Sequence, residues 1–206
     1  MEAYDTETRR RLGASSLIGI DEAGRGPLAG PVVAAAVLLP SRPLPELAGV
    51  KDSKKLTPKG RERVFPLIRR AARVGVGWAL PEEIDQVNIL QATFLAMRRA
   101  LERLRLAPEE APWVLVDGNQ AVPGLALRQK TLVGGDDLSL SIASASVVAK
   151  VVRDRWMRVL ESRYPGYGFA KSKGYGSAEH MDALGRLGPS PVHRRSFHPV
   201  SGMVRV

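Results

Sequence analysis

Short apolar runs bounded by turn residues alternate along this chain with longer stretches whose apolar positions recur every three or four residues. The first run, Leu17-Ile18-Gly19-Ile20, stops at Asp21-Glu22, and a segment dense in Gly and Pro follows. It predicts a buried strand over 17–21. A second run, 31–39, closes at Pro40 and suits a strand paired with the first. The Pro-rich stretch 40–47 reads as a loop. Thr57 is a good N-cap and Pro58 suits a first helical turn, so a helix is expected to about Arg73. Residues 74–78 make a third strand. Pro81 to Asp85 opens a helical region whose main helix runs from about Asn88 to Leu106. Leu90, Phe94, Met97, Leu101 and Leu104 form its apolar stripe, and Arg98, Arg99, Glu102 and Arg105 a solvated face. A fourth strand, 113–118, ends in Asp117-Gly118, and a fifth is expected within 125–133.

From about Ser139 a long helix is expected, with Ala145, Val148, Val152, Trp156 and Val159 as its buried stripe and Ser146, Lys150 and Arg153 as a polar one. The tail from Tyr164 is rich in Gly, Pro, Tyr and basic residues and holds one helix near 177–187. Residues 1–15 show no periodicity and read as a frayed lead-in. Strands alternating with helices point to an α/β domain, whose ligands bind at strand ends.

Composition narrows the class of partner. The 206 residues carry 31 Lys and Arg against 21 Asp and Glu, a formal net charge of +10, which favours a polyanion. There is no cysteine, so a disulfide framework and thiolate metal sites are excluded. The polar, acidic N-terminus is not a secretory signal, and no apolar run has the length of a membrane span, so a cytoplasmic location is expected.

Within this basic chain four carboxylates, Asp21, Glu22, Asp117 and Asp136, fall at element ends. Asp21 and Glu22 point to opposite faces of a regular strand, so they converge only if the strand twists or breaks there. Gly24-Arg25-Gly26 permits a break, lets main-chain amides approach a ligand and offers a guanidinium fork for phosphate. Carboxylates that suit a hard cation therefore stand beside a loop that suits a phosphate or sugar.

The string Asp21-Glu22-Ala23-Gly24-Arg25-Gly26-Pro27-Leu28-Ala29-Gly30-Pro31-Val32 resembles the signature of the type 2 ribonuclease H family, ribonuclease HII. Asp52-Ser53-Lys54-Lys55-Leu56, Asp117-Gly118, Ser141-Ile142-Ala143 through Lys150-Val151 with Arg153-Asp154, and Lys173-Gly174-Tyr175-Gly176-Ser177 extend the likeness over about 17–200. The resemblance implies a ribonuclease H-like α/β fold, a central mixed β-sheet flanked by helices. The core would span about 16–162, with a small helical, substrate-covering lobe over 163–206. It implies a monomeric endoribonuclease acting on RNA/DNA hybrids and on duplex DNA with embedded ribonucleotides. Such an enzyme cuts 5′ of the ribonucleotide and leaves 3′-hydroxyl and 5′-phosphate ends. It implies two divalent ions, Mg²⁺ or Mn²⁺, on Asp21, Glu22, Asp117 and Asp136. Substrate contacts would come from Gly24, Arg25 and Gly26 at the ribose, Lys54, Lys55, Ser146 and Lys150, and Tyr175 stacked on the following deoxyribose.

The chain departs from the family where Lys-Gly-Asp is expected. It reads Gly134-Gly135-Asp136-Asp137, which leaves either aspartate as the fourth ligand, with Asp136 favoured by its spacing from Ser141-Ile142. Lys130 is a candidate for the missing positive charge. Asp154, one turn from Lys150, reads as its structural partner, and Tyr167 as a packing residue of the tail. His180, His193 and His198 look too scattered for a metal cluster. Two competitors stay open: a non-catalytic nucleic-acid-binding protein whose carboxylates merely end strands, and another metal nuclease such as a junction resolvase.

Overall fold

The computed structural model describes residues 1–42 and 44–203. Pro43 of the expected loop and the last three positions of the expected C-terminal lobe fall outside them. The fold is built around β1 (Leu17–Ala23), the middle strand of a five-stranded mixed sheet. β2 (Val32–Leu38) runs antiparallel to it and pairs outward with β3 (Arg73–Ala79), also antiparallel. On the other side β4 (Trp113–Asp117) and β5 (Gln129–Leu132) are parallel to β1 and to each other. β1 and β2 are apolar because helices cover both faces.

One face, carrying Ile18, Ile20, Ala34 and Ala36, packs on α3 (Pro81–Glu102). The other, carrying Ala35 and Val37, packs on α5 (Leu140–Arg163) and α2 (Pro58–Ala71). α5 crosses β1 at Gly19, where a Cβ would lie 2.1 Å from the Ser141 carbonyl carbon. That contact lets the long helix lie flat on the strand and carries its first turns toward the carboxylates. Two short helices, α4 (Gly135–Leu138) and α6 (Phe169–Ser172), and α7 (Ala178–Leu187) complete the chain. No helix among the described residues is long and apolar enough to cross a membrane.

Several expectations need correction. Residues 2–12 are not frayed: Glu2–Leu12 is a helix, α1. Its anchors are polar, which is why no apolar period marks it. Asp5 and Thr8 are its buried residues, and Asp5 Oδ2 accepts the Ser141 backbone N–H at 2.9 Å at the start of α5. Strand β1 runs two residues past Asp21 rather than breaking there. The stripe assigned to α5 holds for Ala145 and Val148, which are fully buried, and in part for Val152 and Trp156, but not at its end or on the polar side. Val159 is 65% exposed, while Arg153 and Ser146 are buried at 1% and 3%. α5 is enclosed by the sheet, by α2 and by the C-terminal segment, so its burial goes nearly all the way round over the first three turns. Arg99 is only partly solvated. It binds Glu83 at 2.7 Å and donates to the Trp78 carbonyl at 2.8 Å. Arg103 caps the Val76 carbonyl likewise, and together the two arginines cover β3, an edge strand that would otherwise offer free carbonyls to another chain.

The expected division of the 81–106 region matches a kink. Asn88 has φ 67°, and its Oδ1 accepts from the backbone N–H groups of Leu90 and Gln91, capping the second segment.

Candidate active site

The pairing of β1 with β4 places two of the carboxylates. Ile20 stands beside Val116, so the next residues, Asp21 and Asp117, are neighbours on adjacent parallel strands. β4 ends at Asp117 while β1 continues, which opens a notch beside β1. Asp136 enters the notch from α4, just after β5, where Gly135 N–H donates to Asp117 Oδ1 at 2.7 Å. One carboxylate oxygen from each of Asp21, Asp117 and Asp136 lies within 4.8 Å of the other two.

Asp21 is on the α5 face with Gly19; Glu22 is on the opposite face by strand alternation. Glu22 lines the same cleft, but its Oε1 lies 3.6 Å from Arg25 Nη1 rather than among the three aspartates. Asp137 is turned away, with Oδ1 2.6 Å from Lys55 Nζ. Lys55 therefore stands outside the cleft. The cation beside Asp136 is Lys54, with Nζ 3.2 Å from Asp136 Oδ2. Lys130 is exposed on β5 and pairs with none of these carboxylates among the described residues.

Crowding buried like charges has a cost, visible in the protonation equilibria. Burial holds Asp21 well above the usual carboxylate range, and the charges of Glu22 and Asp117 push it further. Burial raises Glu22 as well, with Arg25 opposing, and it raises Asp117, with Asp136 adding to the effect. Lys54 moves the other way: burial draws its pKa down, but Asp136 and the other carboxylates lift it above its ordinary value. The donors are hard oxygens, partly desolvated and short of positive charge. That set fits a divalent cation such as Mg²⁺ or Mn²⁺.

The cleft, of ≈ 300 Å³, is completed by Gly24, Arg25, Gly26, Ser53, Lys54, Ser146, Lys150, Arg153 and Tyr175. Ser146 donates to Ser53 at 2.9 Å, tying α5 to the turn that carries Lys54. Lys150 pairs with Asp154 at 2.7 Å, and Arg61 approaches the second oxygen of Asp154 at 3.7 Å, so Asp154 has the structural role expected of it.

Two arginines hold the glycine loop from beneath. Arg194, fully buried, donates to the carbonyls of Gly24, Arg25 and Gly30. Arg153 donates to those of Ala29 and Pro31. These bonds fix the loop's backbone, as do those that the Leu28 and Gly30 amides donate to the carbonyls of Gly174 and Val192. Gly24 has φ +94°, and a Cβ there would fall 1.8 Å from Arg153 Nε, so only glycine fits. Among the described residues neither guanidinium has a carboxylate within salt-bridge distance. Burial lowers the Arg153 pKa to about 10 and that of Arg194 to about 9.

Tyr175, 48% exposed, presents its ring at the cleft with Arg153 Cζ 6.0 Å from the ring centroid. Its backbone is held by two histidines that are distant in sequence but meet in the fold. His180 Nδ1 lies 2.8 Å from the Tyr175 carbonyl, and His180 Nε2 lies 3.0 Å from His193 Nε2. Ser190 N–H donates to His193 Nδ1 at 2.9 Å, which assigns the hydrogens: His193 Nε2–H donates to His180, and His180 Nδ1–H donates to Tyr175. The expectation that the histidines are scattered is thus wrong for two of the three. Among the described residues no histidine joins a metal-capable group. Tyr167 packs as expected, stacked on Phe169 at 5.2 Å in the apolar cluster that joins α7 to Leu28 and Met157.

Arg194, His180 and His193 are the residues that sequence reasoning missed, and Arg153, read there only as part of a polar stripe and a motif, is buried beneath the loop. In a basic tail, Arg194-Arg195 looks like any solvated pair, and only burial distinguishes Arg194.

Comparison with known proteins bears on all of this. Residues 18–200 match the family model described as Ribonuclease HII. The ribonuclease HII of Syntrophotalea carbinolica is 57% identical over 198 residues, 96% of this chain and 92% of that protein. Among solved structures, ribonuclease H2 of Pyrococcus horikoshii is similar with a TM-score of 0.74 and 27% identity, covering 91% of this chain and 96% of that one. Bst ribonuclease HIII, solved in complex with Mn²⁺, shares the fold at a TM-score of 0.77 and 22% identity, over 93% of this chain and 70% of that one.

Proposed function

This chain belongs to the ribonuclease HII family, an endoribonuclease of the ribonuclease H type, and from that premise we propose how its residues divide the work. Asp21, Asp117 and Asp136 are the metal ligands, with Glu22 completing the set from the margin of the cleft. The enzyme hydrolyses RNA paired with DNA and cuts 5′ of a ribonucleotide embedded in duplex DNA. The observation that carries this reading is convergence: three carboxylates from three separate elements meet within 4.8 Å beside a glycine loop. A protein that only bound nucleic acid would gain nothing from carboxylates facing phosphate.

Two bound divalent ions, Mg²⁺ or Mn²⁺, would supply the activated water and stabilise the leaving oxygen. The remaining work falls to the chain itself. The amides of Gly24 to Gly26, on a backbone that Arg194 fixes through the Gly24 and Arg25 carbonyls, meet the 2′-hydroxyl, the group that distinguishes RNA from DNA. Tyr175 packs on the deoxyribose that follows, where an added hydroxyl would crowd its ring. Lys54, Ser146 and Lys150 line the phosphate path, and Lys55 acts at its periphery. The segment 163–206 serves as a lobe over the substrate, and the enzyme works as a monomer in the cytoplasm.

The test is cleavage of a DNA duplex carrying one ribonucleotide, beside an all-deoxy control. A single cut 5′ of the ribonucleotide with 3′-hydroxyl and 5′-phosphate ends is expected. Cutting of the control at a comparable rate would refute the reading.

A further inference from the structure

Beside the carboxylate cleft, and sharing Lys150 with it, lies a second groove of ≈ 670 Å³. Its walls are α2, α5 and the α6 segment, which contribute Lys59, Arg158, Lys171 and Lys173. The acids on these walls are already engaged. Glu62 takes Arg155 and Arg158, and Asp154 takes Lys150 and Arg61. Lys171 reaches out to Glu179 in an exposed pair. Lys59 and Lys173 have no acid partner among the described residues.

Lys173 is the most informative of these. It holds a left-handed backbone (φ 54°) that non-glycine residues seldom adopt, and among the described residues its amine bonds only the Ala170 carbonyl. Burial lowers its pKa; Asp154 opposes, while Arg158, Lys150 and Arg153 lower it further. Strain and positive charge thus collect on this wall of the groove, at Lys173. A nucleic-acid backbone is the ligand that repeats a negative charge along such a path.

Position selects the part of the substrate. The carboxylates, the glycine loop and Tyr175 occupy the first cleft, and Lys173 stands two residues before Tyr175 on the wall of the second. We propose that this groove is an exosite for the duplex DNA arm 3′ of the ribonucleotide, with Lys59, Lys171 and Lys173 neutralising its phosphates. The assignment of the 3′ side rests on the reading above, in which Tyr175 takes the deoxyribose after the ribonucleotide.

Binding measured in EDTA separates this from the chemistry, because no cleavage is needed. The probes are duplexes with one ribonucleotide, a fixed 5′ arm, and a 3′ arm of about 12 or about 3 base pairs at roughly 3.4 Å each. Combining Lys59→Gln, Lys171→Gln and Lys173→Gln should weaken binding of the long-arm duplex about tenfold. It should also flatten its log–log salt slope by about two to three units. The short-arm duplex should bind within about twofold of wild type. Equal weakening on both duplexes, no weakening, or a loss that follows the length of the 5′ arm would overturn the proposal. Lys59→Gln alone, on the exposed surface of α2, gives the same contrast on a smaller scale should the triple variant fold poorly. Wild-type cleavage in Mg²⁺ reports separately on the first cleft: if it fails while the 3′-arm dependence holds, that reading falls and the groove remains a DNA-binding exosite.

Discussion

Two buried charged regions face each other across the cleft, and they are built on opposite terms. On the sheet side, Asp21, Asp117 and Asp136 crowd like charges within 4.8 Å, with Lys54 as the adjoining cation. On the loop side, Arg194 and Arg153 are as deeply buried, yet their donors, Arg153 Nη1 excepted, end on backbone carbonyls of the 24–31 segment. The first region is under-neutralised and gains from a cation. The second is hydrogen-bonded within the chain and gains rigidity. The chemistry and the recognition therefore rest on different kinds of buried charge, and substitutions should separate them.

The largest expected effect lies on the sheet side. Asp21→Asn or Asp136→Asn should cut single-turnover cleavage on the order of 10³-fold, about 4 kcal/mol in the barrier, while the fold persists. Asp21→Asn should also stabilise the metal-free protein, by about 1.4 kcal/mol for each pKa unit of strain it relieves. The sign follows from the raised pKa. The native state keeps the Asp21 proton longer than the unfolded chain, so metal-free wild type loses stability as pH rises above the ordinary value of 3.8. Denaturant melts of both proteins against pH check this, and a less stable Asn variant would break the contrast.

Arg194→Met should do the reverse. It strands the carbonyls of Gly24, Arg25 and Gly30, so a stability loss of about 3 kcal/mol or more is expected in urea melts, with metal affinity little changed.

The histidine pair sharpens the contrast through its response to acid. Burial and His180 hold the His193 pKa at about 4, below its ordinary 6.5. Unfolded His193 takes a proton that the native pair refuses, so this pair loses stability as pH falls from about 6.5 toward 4, by up to about 3 kcal/mol. His193→Asn should be about 1–2 kcal/mol less stable at pH 7 and should lack that acid-dependent component. Imidazole ¹⁵N spectra of wild type should show His180 as the Nδ1–H tautomer and His193 as Nε2–H. The smallest effect is expected for Asp137→Asn, which loses only an exposed pair with Lys55 and should change cleavage by less than about threefold.

The sheet side was legible in the chain because its information is local. Apolar runs ending in acids mark Asp21 and Asp117, and the Gly-rich segment after Glu22 announces a loop that approaches a ligand. The supports were not legible. Arg194 acts on carbonyls more than 160 positions away, and His180 and His193 are joined only when α7 folds against the tail. The helix at 2–12 was missed for a related reason, since it docks through Asp5 on the start of α5 rather than through an apolar stripe. The α5 stripe was right at Ala145 and Val148 but could not separate a buried from a polar side, because a helix enclosed on nearly every side has no single apolar face.

The division of labour is tested most directly by one ratio: cleavage at a DNA-embedded ribonucleotide over cleavage within a continuous RNA/DNA hybrid. Only the first substrate presents a deoxyribose to Tyr175. Tyr175→Ala should lower this ratio by about tenfold or more, whereas Asp136→Asn should lower both rates together and leave it unchanged. A Tyr175→Ala enzyme that loses both activities equally would contradict the account.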